Sequence, residues 1–94
     1  MIVMHYNAEN TSESGAFWVL YLPVESGLEL LPADLRARLG ALYPQYELDV
    51  ENDTEYLRPE QKTAIEKGIA EKGYYLEESQ FRLSGLSEDV DLEI

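Results

Sequence analysis

The sequence predicts an α+β domain: a single mostly antiparallel sheet with two helices packed on one face, in the order β-β-α-β-α-β(β). Three observations carry this expectation. Residues 16–22 form an unbroken apolar and aromatic run, fenced by Gly15 and Pro23. A run that short, bounded by breakers, reads as a strand covered on both faces. Residues 46–50 alternate apolar and charged, the pattern of a strand with one dry and one wet face. Pro32 and Pro59 each open a stretch whose apolar residues recur at helical spacing.

The elements follow in order. Residues 1–6 are apolar and short, a first strand. Residues 7–15 are polar and read as a loop that closes a hairpin onto the central run at 16–22. Glu25, Ser26 and Gly27 mark a turn. Pro32 suits the first position of a helix, and Asp34 favours the positive end of its dipole. Leu35, Leu39 and Leu42 make its apolar stripe, Arg36 and Arg38 lie off it, and Gly40 serves as a left-handed cap. Pro44 then enforces extended chain. A second helix runs from Pro59 to about Lys72, with Ala64, Ile65 and Ile69 toward the sheet and Leu57 reaching back onto them. Gly68 inside it costs ~1 kcal/mol against Ala, which close packing against a strand would explain. Gly73 is its stop. Residues 74–76 form a short strand, 77–79 a turn, and Phe81 and Leu83 a further strand. The tail, 87–94, alternates again, as an edge strand or an acidic end.

The totals set bounds. The 94 residues suit a single domain spanning 1–94 with an acidic C-terminal segment, 87–94, and a 45% hydrophobic share allows a real core. The absence of cysteine excludes a disulfide framework and a thiolate metal site, and fits a reducing, cytoplasmic location. The N-terminal residues lack the pattern of a signal peptide, and no apolar stretch reaches the ~18 residues of a membrane span. Seven Lys and Arg stand against nineteen Asp and Glu, a net charge of −12. Nucleic acid and anionic membrane are poor partners for such a surface; a basic protein is a good one.

The most distinctive stretch is Glu47, Asp49, Glu51, Asp53 and Glu55, carboxylates at every second position. On a strand continuing that far they would share one face, ~6.6 Å apart. Such a row imitates a nucleic-acid backbone and suits the lysines and arginines with which other proteins hold phosphates. Asp89, Asp91 and Glu93 repeat the spacing. Tyr46 and Tyr56, with Tyr43, flank the acidic run, and tyrosine beside acids suits a protein interface. The plainer reading is a solvated strand face running into a turn at 52–53. A calcium loop is a third: Asp49, Glu51, Asp53, Glu55 and Glu60 have EF-hand spacing, but Thr54 replaces the turn glycine and Pro59 lies inside the loop. His5 is the single histidine. It has no second histidine or cysteine with which to build a zinc site, and the serines lack a nucleophile elbow, so it reads as a packed residue. No cofactor, metal or catalytic constellation is expected. With both helices on one side, their Arg36, Arg38, Lys62, Lys67 and Lys72 would leave the other side of the sheet nearly purely negative.

Over residues 20–76 the chain resembles the YcgL-like family of small bacterial proteins. The residues that carry the resemblance are Leu20-Tyr21-Leu22-Pro23, Leu31-Pro32 with Leu35 and Leu39-Gly40, then Leu48, Leu57, Ile65 and Glu71-Lys72-Gly73-Tyr74-Tyr75-Leu76. The resemblance implies a compact domain of one sheet and two helices, and brings no catalytic residues. Where the family continues into a proline-rich segment, this chain has Glu77-Glu78-Ser79. The expected function is that of a non-enzymatic acidic protein docking on a basic, nucleic-acid-binding protein. It would act as a nucleic-acid-mimic inhibitor, by analogy of charge and size with phage anti-defence proteins. The alternative is a YcgL-like housekeeping protein of unknown ligand whose acidity only aids solubility.

Overall fold

A computed structural model describes residues 1–52 and 57–79. The elements, in chain order, are β1 (Ile2–Thr11), β2 (Phe17–Pro23), a 3-10 turn (Leu28–Leu30), α1 (Ala33–Leu39), β3 (Leu42–Asp49), α2 (Pro59–Lys72) and β4 (Tyr75–Ser79). The strands form one sheet in the order β3-β1-β2-β4, with every neighbouring pair antiparallel. The α+β class, the single antiparallel sheet and the two helices are those the sequence predicts. The further strand at Phe81 and Leu83 and the tail at 87–94 lie outside the described residues.

The helices do not share a face. Val19 and Tyr21 of β2 pack in one core with Val3, Leu48, Val50, Leu57 and Ile65, the last from α2. Leu20 and Leu22 pack in a second core with Ala8, Leu31, Leu35 and Leu39, the last two from α1. Successive side chains of a strand point to opposite faces. The two cores therefore lie on opposite sides of the sheet, each capped by one helix. The same alternation explains why residues 19–23 of β2 are buried without a break.

Local chemistry sets the ends of the elements. Pro32 is the residue before α1 rather than its first turn, and Gly40 ends the helix at φ 74° with its N–H bonded to the Arg36 carbonyl. Leu42, expected on the α1 stripe, therefore falls beyond the helix and opens β3. Gly40 also lets Glu9 and Asn10 come close: a Cβ there would sit 2.8 Å from Glu9 Oε1. In α2, Pro59 takes the first turn and Gly73 stops the helix in the left-handed region, φ 91°. A Cβ on Gly68 would sit 2.9 Å from the Tyr75 ring and 3.1 Å from the Tyr74 carbonyl, so this glycine permits the close approach of α2 to β4.

Two strands run longer than their apolar patterns. β1 continues through polar residues to Thr11, with a register shift between Asn7 and Thr11 against β2. β4 runs through 77–79, where a turn was expected. β3 begins at Leu42 and carries a bulge: His5 pairs with Tyr46 but Tyr6 with Pro44, leaving Gln45 as the extra residue. The bulge switches faces. Leu42 joins the α1-side core, whereas Tyr46 and Leu48 join the α2-side core. Among the described residues no helix is long and apolar enough to cross a membrane.

Candidate functional site

The acidic row does not continue as a strand. β3 ends at Asp49, and residues 50–52 form a turn. Only Glu47 and Asp49 stay in strand register, opposite Met4 and Ile2 on the α1 side of the sheet. Asp49 builds the turn itself. Its Oδ1 accepts from the backbone N–H of Glu51 at 3.0 Å and of Asn52 at 3.3 Å, and its Oδ2 from the Asn52 side chain at 2.8 Å. This is an aspartate turn of the kind that ends strands. The Asn52 side chain, helped by those backbone donors, holds the Asp49 carboxyl below the usual carboxylate range. Glu51 leaves the row and lies 3.5 Å from the N-terminal ammonium. Asp53, Glu55, Tyr56, Asp89, Asp91 and Glu93 lie outside the described residues.

The tyrosines divide. Tyr43 is exposed, while Tyr46, expected at the interface, turns inward with its ring 4.7 Å from that of His5. His5 is fully buried. Its Nε2 lies 3.2 Å from Asn7 Oδ1, an oxygen that can only accept, so Nε2 carries the proton. Nδ1 is then a lone pair that is buried without a hydrogen-bond partner among the described residues. Tyr21 meets the His5 ring edge-on at 5.2 Å and stacks with Tyr75 at 6.1 Å. Gln61 on α2 donates to the Tyr21 hydroxyl at 3.3 Å and to Glu77 at 3.2 Å. Burial, and then the Glu77 carboxylate, push the hydroxyls of Tyr21, Tyr46 and Tyr75 above their ordinary 10. This niche holds polar groups in a core and keeps them neutral; its dense packing leaves His5 no access to solvent.

The open cleft lies elsewhere, on the α1 side. It has a volume of about 590 Å³ and is lined by Ser12, Glu13, Ser14, Trp18, Arg38 and Glu78. Four elements build it. The hairpin tip is fixed by backbone bonds between Ser12 and Ala16 and by the Ser12 and Ser14 hydroxyls, 3.0 Å apart. Trp18 and Glu78 are register partners on β2 and β4 and so share a face. Arg38 comes from the end of α1, tied to β1 through Asn10 Nδ2, which donates to the Arg38 carbonyl at 2.9 Å, and through bonds between Glu9 and Ala41. The Arg38 guanidinium lies over the Trp18 ring, 5.7 Å from its centroid. Sequence reasoning missed this cleft, because its residues come from four separate segments and meet only through the placement of α1.

Charge is unevenly placed. Every described lysine and arginine lies on α1, on α2 or at the N-cap of α2: Arg36, Arg38, Arg58, Lys62, Lys67 and Lys72. Because the helices take opposite faces, both sides of the sheet carry cations, and the expected purely negative side does not form. Among the described residues, none of these cations forms an ion pair within 4 Å with a carboxylate; the one such pair is the N-terminus with Glu51. Glu47 and Asp49 lie on one sheet edge and Glu77 and Glu78 on the other. Among the described residues no three acidic or histidine side chains converge to hold a metal ion. Comparison with models of known protein families, with curated proteins and with solved structures finds no match.

Proposed function

We propose that this chain is a non-enzymatic acidic binding protein that docks on the basic surface of a nucleic-acid-binding protein and competes there with nucleic acid. The observation that carries this reading is the excess of negative charge and where it lies. The net charge is −12, and the described lysines and arginines are confined to the two helices and the N-cap of α2, while Glu47 on one sheet edge and Glu77 and Glu78 on the other have no ion pair within 4 Å among the described residues. Such a surface steers a basic partner from a distance and repels nucleic acid. The break in the row at Asp49 changes the form of the surface. Docking uses carboxylates spread over the β3 edge, the hairpin and β4, rather than a single file spaced like phosphates. Pull-down from the native cell at low salt should retain a basic partner, and ~0.5 M salt should release it, since screening is then nearly complete beyond a few ångströms. Reversal of Glu47 and Glu51 to lysine should weaken retention with the fold intact. Asp49 is a poor choice for reversal, because it holds a turn. Retention unchanged by salt would sink the reading.

A second reading has its own observation. Both sheet edges carry adjacent or alternate carboxylates, and charge on an edge strand blocks pairing with another sheet. On that reading the chain is a housekeeping domain of the YcgL-like kind, and its acidity serves solubility. The Glu47 and Glu51 reversals would then leave binding unaltered, and aggregation too, since lysine keeps the edge charged.

A further inference from the structure

We propose that the cleft between the hairpin tip and α1 seats a guanidinium group of the partner, with Trp18 as the stacking surface and Glu13 and Glu78 as the anions. The inference rests on the acidic-docking reading and names its point of contact. The Trp18 ring already carries a guanidinium, that of Arg38, at 5.7 Å, within the reach of a cation–π contact. Two carboxylates from different elements line the same cleft, and neither is ion-paired among the described residues. A guanidinium has five N–H donors and no acceptor. The lining offers it acceptors: two carboxylates and the hydroxyls of Ser12 and Ser14. An anion would meet two carboxylates against one arginine, on a strongly acidic molecule. A lysine ammonium keeps the charge but is more tightly hydrated and lacks the planar stacking face. Arg38 is then a resident competitor that covers the ring until a partner's arginine displaces it.

This role fixes the sign of the test. If Arg38 were itself the ligand-holding group, removing its charge would abolish binding; as a competitor, removing it tightens binding. Trp18 is the only tryptophan in the chain, so tryptophan fluorescence comes from a residue that lines the cleft. The probe is acetyl-Gly-Arg-Gly-amide at low salt, compared with the same peptide carrying lysine or citrulline. The arginine probe should change Trp18 emission saturably, the lysine probe should bind at least about threefold more weakly, and the uncharged citrulline probe should give no change. Arg38→Gln should tighten the arginine probe about fivefold. Glu13→Gln with Glu78→Gln should weaken it about tenfold. These side chains are exposed, so the variants should keep the wild-type circular dichroism. Loss of binding in Arg38→Gln, or an equal response to citrulline, overturns the seat. So does a partner retained at low salt but indifferent to the two glutamate variants, with no probe response; the docking reading then survives. A probe response with no salt-sensitive partner supports the seat and sinks the docking reading.

Discussion

His5 shows how a single residue ties stability to pH. It is fully buried, donates from Nε2 to Asn7, and leaves Nδ1 without a partner among the described residues. Burial lowers its pKa below the ordinary 6.5, against the smaller opposing effect of Asn7. Below pH 6.5 the unfolded chain takes up a proton that the folded chain refuses. Stability is therefore full above about 6.5 and falls as the pH drops toward the folded value, by up to ~1.4 kcal/mol per pH unit. Urea unfolding at pH 7.5 and 5.5 should show that loss in the native chain and not in His5→Gln; equal losses in both would assign the effect elsewhere. Gly68 makes a steric argument of the same kind. Alanine gains ~1 kcal/mol of helix propensity there. Its Cβ would meet a backbone carbonyl and a ring that α2 presses against, and such overpacking costs ~1–3 kcal/mol. Gly68→Ala should lower stability by ~1 kcal/mol in the same urea assay, and a more stable variant would show that α2 can lift off β4. The role of Gly68 was legible in the sequence as a helix interior glycine needing a reason. The loneliness of Nδ1 was not, because it depends on neighbours from β1, β2 and β3.

At the scale of the elements, β3 is governed by one extra residue. Up to Pro44 its even-numbered side chains face α1; from Tyr46 they face α2; Gln45 makes the change. Pro44 is tolerated because β3 is an edge strand and the ladder is already irregular there. Deleting Gln45 would restore a regular ladder and send either Leu42 or the pair Tyr46 and Leu48 to the wrong face, since a one-residue slip inverts a strand. The deletion should cost several kcal/mol, of the order of losing a buried leucine, and the urea midpoint measures it. A native-like midpoint would mean that β3 is held by its backbone bonds alone. The alternation at 46–50 made the second half of β3 legible. The first half was hidden because Leu42 also fits the α1 stripe, and nothing in periodicity says that Gly40 stops the helix. The second half of β1 is hidden for a related reason: apart from the buried Ala8 its residues 7–11 are polar, and the ladders to β2 and β3 extend the strand against propensity. The alternation predicts a longer carboxylate row than forms, because alternation alone does not show where a strand ends. Asp49 ends it by turning its side chain back on the next two amides.

At the scale of the molecule, β2 decides the architecture. Its unbroken apolar run predicts cover on both faces, which requires a layer on each side. Placing both helices on one face conflicted with it, and the observed arrangement resolves the conflict in favour of the run. The same arrangement divides the cations between two faces and leaves the edges and the hairpin to the acids. It also means that a single ribbon partitions the interior into two compartments that do not share side chains. Val19 and Leu20 are adjacent in the chain yet belong to different compartments. Truncating each to alanine should cost ~1–5 kcal/mol, and the double variant should cost the sum within ~0.5 kcal/mol, as if the two sites were remote. A coupling energy well above that would show the partition to be porous. If the sum holds, either compartment can be repacked while the other stays as it is, and α1 with its cleft can diverge without disturbing what lies beneath α2.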